Sequence, residues 1–264
     1  MKWVADRRLL EELEVLEDLK RDVRTCDVLG IPVSCMDLDF TVRLLETAME
    51  EATGYHVVTL NPEMAVMAVK DDDFMTVVRS ADLVVADGVG VVIGAKLLSG
   101  KPQGRVPGIE LASRLLEYSA LAQKRVFFLG AKPGVAEEAA ANCILKYEGL
   151  EVVGTHHGYF SEEQDRDVIE EVVKCSPDIV LVAMGMGRQE KLIASYRNLL
   201  PSAVWIGVGG TLDVFAGRVN RAPQFFQRIG MEWFYRLVTD PSRIKRIWAI
   251  PAFIFRVFRY KFFG

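Results

Sequence analysis

Cysteine and histidine are scarce in this chain of 264 residues, which holds four of the first and three of the second. Cys26, Cys35, Cys143 and Cys175 stand far apart without a C-x-x-C pair. That excludes a dense disulfide framework and points to a reducing compartment. His56, His156 and His157 have no carboxylate or thiol at metal-ligand spacing, so no metal site is expected. The dinucleotide fingerprint G-x-G-x-x-G is missing after the first apolar run, which disfavours a nicotinamide dehydrogenase. Long hydrophobic runs are lacking too. The longest in the C-terminal tail, Ile247–Phe255, is nine residues with Pro251 inside, against the ~20 that cross a bilayer. The stretch LLEELEVLEDLK after Arg8 is too acidic for the core of a signal peptide, so the protein is expected to stay in the cytoplasm. Neither an internal repeat nor a low-complexity segment is present.

What is present is a hydrophobic half of the residues and an uneven distribution of charge. Residues 218–264 hold ten Lys and Arg against Glu232 and Asp240, a net of +8, which leaves −12 for the remainder. Such asymmetry predicts a polyanionic partner for the tail. Residues 1–25 read as an accessory amphipathic helix, with Leu9, Leu13, Leu16 and Val23 near helical spacing. From Val28 short apolar runs alternate with amphipathic ones. VLGIPV, Val57–Leu60, Leu83–Ala86, Val126–Leu129, Val152–Thr155, Ile179–Ala183 and Val204–Val208 are separated mostly by helical patterns, among them 39–53 and 63–78. This predicts an α/β fold with a mostly parallel, Rossmann-like sheet and helices on both faces. Three segments are expected: an N-terminal helix over 1–26, an α/β catalytic domain over 27–222, and a basic aromatic appendage over 223–264. In the appendage, Phe226, Ile229, Trp233 and Leu237 fall on one helical face, with further bulky apolar residues after Pro241. An interfacial helix lying on anionic lipid explains both the aromatics and the one-sided charge; a helix pair packed on the core with a solvated basic face is the alternative. The bulky apolar content favours lipid over nucleic acid.

In such a sheet ligands bind beyond the carboxyl ends of the strands. Five loops there carry polar or glycine residues: 61–63, 87–90, 130–134, 185–189 and 209–213. Asp87 is a candidate proton acceptor for a sugar hydroxyl, or alternatively a cap for the helix that follows. Thr59 and Asn61 can hold sugar or phosphate oxygens, although Asn61 is equally an N-cap ahead of Pro62 and Glu63. Gly185 and Gly187 open a helix whose amides suit a diphosphate, while glycine pairs after strands are common. Asp213, after Gly209 and Gly210, can accept from ribose hydroxyls or cap a turn. Asp37-Leu38-Asp39 matches a D-x-D metal-diphosphate pattern but is assigned to helix capping, and Asp71-Asp72-Asp73 to a solvated break between helical pieces.

The ordered blocks TLNPEM (59–64), ADGVG (86–90), RVPGIEL (105–111), GTHHGYF (154–160), GMGRQEK (185–191), GVGGTLDVFAGRVNRAP (207–223) and EWFYRL…DPSRIKR (232–246) resemble the WecG/TagA/CpsF glycosyltransferases, glycosyltransferase family 26. The similarity covers about residue 27 to 260. It implies an inverting transfer without a metal, from a UDP-sugar to a polyprenyl-diphosphate-linked saccharide at the inner face of the membrane, typically of N-acetylmannosamine or its uronic acid onto N-acetylglucosaminyl-diphospho-undecaprenol. Transfer of another hexose and a non-catalytic nucleotide-sugar-binding scaffold are the alternatives. The resemblance implies Asp87 as base, Thr59 and Asn61 beside the transferred sugar, and Gln189 as a polar active-site residue. Arg105, Gly185, Glu190, Gly209, Gly210 and Asp213 fall in substrate-binding blocks, and Arg236, Arg243 and Arg246 match basic residues that meet the diphosphates. The family pattern leads one to expect proline where this chain has Gly187. Peripheral attachment to an anionic membrane surface, and self-association when lipid is absent, complete the expectations.

Overall fold

The structure, a computed structural model, describes residues 15–100, 104–223, 225–226, 232–239 and 248–263. Residues 15–22, here α1, are helical and bury Leu16 in the core; Leu9 and Leu13 lie outside the described residues. The apolar run VLGIPV is a hairpin rather than one strand. β1 (Thr25–Val28) and β2 (Ile31–Ser34) pair antiparallel. Leu29 and Gly30, both at positive φ, make the turn, and the Asp27 carboxylate accepts from the Gly30 N–H at 2.9 Å. Two consecutive left-handed residues match the twist that a tight hairpin needs.

Six further strands extend this hairpin into an eight-stranded sheet, all joined in parallel. They are β3 (Tyr55–Leu60), β4 (Leu83–Ala86), β5 (Arg125–Gly130), β6 (Glu151–His156), β7 (Ile179–Ala183) and β8 (Val204–Gly207). The order across the sheet is β1-β2-β4-β3-β8-β7-β5-β6. Alternate residues feed opposite layers. Val57, Val85, Phe128, Leu181 and Ile206 face one core, and Val58, Val84, Phe127, Val180 and Trp205 face the other. Both faces are apolar because helices cover both, which is why the strands read as unbroken hydrophobic runs.

The first layer is made of α1, α2 (Leu38–Glu50), α6 (Gly108–Leu121), α7 (Val135–Lys146) and α10 (Thr211–Phe215). The second holds α3 (Pro62–Ala68), α4 (Asp72–Arg79), α5 (Val89–Ser99), α8 (Asp165–Lys174) and α9 (Arg188–Tyr196). The expected helix over 63–78 is two helices. Asp71 caps α4 by accepting from the Phe74 N–H at 2.9 Å, so the acidic triplet starts a helix. Asp37 likewise caps α2, accepting from the Phe40 N–H at 2.9 Å, and Asp39 pairs with Arg114. Beyond residue 223 lie α11 (Glu232–Thr239) and α12 (Ala249–Phe263). α12 packs on α3 and α5 by burying Phe253 and Val257. Phe255, Phe258, Phe262 and Phe263 stay exposed, as does Trp248 just before the helix, so this helix is docked on one side and apolar outward on another. Among the described residues no helix is long and apolar enough to cross a membrane.

Candidate active site

Beyond the carboxyl ends of β4, β3, β8, β7, β5 and β6 lies one cleft of about 840 Å³. All five loops singled out in the sequence contribute to it, and the β6 loop adds Gly158 and Tyr159. From β4 to β5 is four strand spacings, roughly 20 Å at ~4.8 Å each. Asp87 stands at the β4 end. Its N–H donates to the Leu60 carbonyl at 2.9 Å, which ties the end of β4 to β3. Gly88 caps α5 without a side-chain bond, so Asp87 does not cap the helix it precedes. Its Oδ1 accepts instead from the N–H of Gly108, the first residue of α6, at 3.0 Å. A helix N-terminus favours a negative charge beside it. Glycine at 108 lets the start of α6 pack against β3, because a Cβ there would meet Thr59 Cγ2 at 3.2 Å. Gly90 is required for a similar reason: a Cβ would come within 2.8 Å of Pro62, so the starts of α3 and α5 lie side by side against the cleft.

Thr59 is buried and donates to the Gly207 carbonyl at 2.8 Å. Asn61 caps α3, its Oδ1 accepting from the Met64 N–H at 3.0 Å, and also lines the cleft. Gln189 lines it as well but is only 3% exposed, and both polar ends are engaged. Its Nε2 donates to Glu190 Oε1 at 2.7 Å, and its Oε1 accepts from the Gly209 N–H at 3.2 Å. Gln189 therefore fixes the β8 loop against α9. Glu190, expected at the substrate, does not line the cleft. It is fully buried behind the wall, with Oε2 accepting from the Gly187 N–H at 2.7 Å. Burial pushes its carboxyl above the usual carboxylate range, against the hydrogen bonds from Gln189 and Gly187. Gly187 has φ of +87°, and a Cβ there would sit 2.8 Å from Met67 Cε. Proline, held near −65°, cannot take this path. Glycine at 187 therefore suits the backbone this loop takes.

Arg105, Gly185, Gly209, Gly210 and Asp213 also line the cleft. Arg105 Nε donates to the Asp87 carbonyl at 3.3 Å, and its guanidinium meets Glu232 of α11 at 3.4 Å. Arg221 pairs with Glu110 of α6 and approaches Glu232 at 3.9 Å. A chain of alternating charge thereby runs from the start of α11 to the carbonyl of Asp87. Arg243 and Arg246 lie outside the described residues, as does the side chain of Arg236 on α11. Sequence reasoning missed Lys132, Tyr159, Glu232, Ile93, Ile250 and Ile254, all in the cleft wall. Lys132 lies in a loop that had been singled out; the α12 isoleucines carry no local signal, because only the docking of that helix brings them here.

A family model described as the WecG/TagA/CpsF glycosyl transferase family matches residues 26–264. The chain is 39% identical over 223 residues to a protein of Bacillus spizizenii (strain ATCC 23059 / NRRL B-14472 / W23), covering 84% of this chain and 86% of the relative. To a protein of Bacillus subtilis (strain 168) it is 37% identical over 212 residues, 80% and 82% of the two chains. A protein of Staphylococcus aureus (strain NCTC 8325 / PS 47) is 34% identical over 237 residues, 89% and 92%. All three relatives are named N-acetylglucosaminyldiphosphoundecaprenol N-acetyl-beta-D-mannosaminyltransferase.

Proposed function

The chain belongs to the WecG/TagA/CpsF family of glycosyl transferases, and from that membership we propose that it moves an N-acetylmannosamine-type sugar from UDP to N-acetylglucosaminyl-diphospho-polyprenol, inverting the anomeric centre. One observation carries the catalytic assignment. Asp87 stands in the cleft wall with one carboxylate oxygen held by the Gly108 N–H and its main chain held by Leu60 and Arg105. A carboxylate so fixed takes the proton of the acceptor hydroxyl as that oxygen bonds to the anomeric carbon. The bond from that carbon to the diphosphate breaks on the opposite face, and the electron pair leaves with UDP.

The leaving diphosphate gathers charge that the protein must stabilise. Gly185, Gly209 and Gly210 bring main chain to the middle of the cleft, between Arg105 at one end and Lys132 at the other. Arg236, Arg243 and Arg246 are assigned here by the family resemblance, and guanidinium suits phosphate through paired, charge-assisted bonds. Asn61 and Thr59 flank the position of the sugar. Gln189 acts by positioning the Gly209 loop, and Asp213, in the first turn of α10 and in the cleft wall, is assigned to a ribose hydroxyl. Docking of α12 on a membrane surface brings the lipid-linked acceptor to this mouth.

Replacement of Asp87 by Asn keeps its size and removes the proton acceptor. Transfer to a lipid-linked acceptor is expected to fall by about 100-fold or more, with UDP-sugar affinity within a few fold of wild type. Turnover close to that of wild type would remove Asp87 from the role of base.

A further inference from the structure

The cleft has one wall that no nucleoside diphosphate sugar needs. Such a donor presents hydroxyls, phosphates and a planar base, yet beside Asp87 the wall is built from Val89 and Ile93 of α5 and Ile250 and Ile254 of α12. Ile93 is 46% exposed, although α5 buries Val91, Gly94 and Ala95 completely or nearly so. On α12 the pair Ile250 and Ile254 continues at the same helical spacing into Phe258 and Phe262, whose rings stack at 6.4 Å between centroids with planes 5° apart. Side chains four residues apart are neighbours on the helix surface, each step turning by about 40°, so the row winds slowly around α12. The stripe runs beside the pair Phe253 and Val257, which fills the notch at Gly94 and fastens the helix to the core, and Ile254 packs in part against that same core. One further bond holds the far end of α12, from Lys261 to the Leu97 carbonyl at 2.7 Å; nearby, the Asp27 carboxylate raises the Tyr260 phenol above the ordinary value.

We infer that the stripe Ile250, Ile254, Phe258 and Phe262, with Ile93 opposite its inner end, is the track along which the isoprenoid chain of the acceptor leaves the active site. This rests on the acceptor reading given above. Its inner end borders the cleft wall that holds Asp87, where the acceptor sugar must sit, and its outer end is exposed. From Ile250 to Phe262 is roughly 18 Å at ~1.5 Å per residue, long enough for several isoprene units. The diphosphate between sugar and chain then falls near Arg105, at the polar edge of the same wall. Isoleucine and phenylalanine surface gives unsaturated, branched hydrocarbon close packing partners as it leaves the bilayer or micelle, and the contact grows with each unit until the stripe ends.

The test is chain-length dependence in a single detergent, with N-acetylglucosaminyl diphosphate carrying geranyl, geranylgeranyl or undecaprenyl groups. Wild type is expected to show kcat/KM rising from geranyl to geranylgeranyl and then levelling. In the variant with Phe258→Ser and Phe262→Ser, two exposed positions whose loss the fold should tolerate, the rise is expected to shrink by about tenfold. Trp248→Ser removes an exposed aromatic off the stripe and is expected to keep the wild-type rise even if binding to lipid vesicles weakens. A rise unchanged in the double variant, or lost equally in Trp248→Ser, would overturn the track while leaving the acceptor assignment standing. Absence of transfer by wild type to all three acceptors would overturn the acceptor assignment itself.

Discussion

His56 sits on β3, opposite Trp205 of β8, with no exposed surface and no hydrogen-bond partner for either ring nitrogen among the described residues. Burial, aided by the nearby Arg197 guanidinium and opposed by Asp82, pulls its pKa down to about 4 from 6.5. The folded protein therefore resists a proton that the unfolded chain accepts. No stability is lost on this account above pH 6.5; it is lost progressively as pH falls from 6.5 toward 4, and the loss levels off below that. Against His56→Phe, which cannot titrate, the wild-type unfolding free energy is expected to drop by about 3 kcal/mol between pH 7 and pH 4. Denaturant midpoints of the two proteins across that range measure it, and parallel pH profiles would contradict the assignment. Other single residues were legible in the sequence to different depths. Asn61 was expected either as a cap or as a ligand, and it both caps α3 and lines the cleft. Asp87 was placed at the cleft from its position after a strand, but its bond to Gly108 was not foreseeable, because it joins residues far apart in the chain that meet only when α6 docks. Glu190 was misplaced because adjacent residues on a helix point different ways, and only coordinates reveal which one turns inward.

At the scale of elements, α12 depends on a glycine in another helix. A Cβ at Gly94 would lie 2.7 Å from Phe253 Cε1 and 3.2 Å from Val257 Cγ2. Neither side chain can swing away, since both are buried. Gly94→Ala gains about 1 kcal/mol of helix propensity, which offsets much of the strain from one methyl group. Gly94→Val has no comparable gain and adds bulk, so overpacking of about 1–3 kcal/mol decides the outcome. Faster tryptic cleavage after Arg256 and Arg259 is expected in Gly94→Val, with little change in unfolding of the sheet. Equal cleavage rates would mean that α12 is not held by this notch. The strands were the most legible elements, because each is a continuous apolar run with helices on either side. The break in 63–78 was not, since Val69 and Lys70 continue the helical pattern and only the capping bond of Asp71 ends it. VLGIPV concealed a hairpin because apolar residues flank its turn, and Leu29 at φ of 58° carries none of the usual turn chemistry.

For the molecule as a whole, the separation of charge seen in the sequence gains a direction from the fold. The tail carries the net +8 while the remainder carries −12, so the two parts should respond oppositely to an anionic surface. α12 links the tail to the catalytic cleft through Ile250 and Ile254 and, with Trp248 just before it, exposes Phe255 and Phe263 together with Arg259. Aromatics at the depth of lipid headgroups and cations beside anionic phosphates would hold the cleft mouth at the membrane. Each cation near such a surface contributes about 1 kcal/mol. Removing two, as Arg256→Gln with Arg259→Gln, should weaken partitioning onto phosphatidylglycerol vesicles by about 30-fold, since 1.4 kcal/mol is a factor of ten. Raising the salt concentration should weaken wild type more than the double variant, because fewer charges remain to be screened. Cosedimentation over a salt series separates this from purely apolar attachment, which salt would leave unchanged or strengthen. Identical salt curves for the two proteins would assign attachment to the aromatics alone and leave the cationic surface free for the diphosphates.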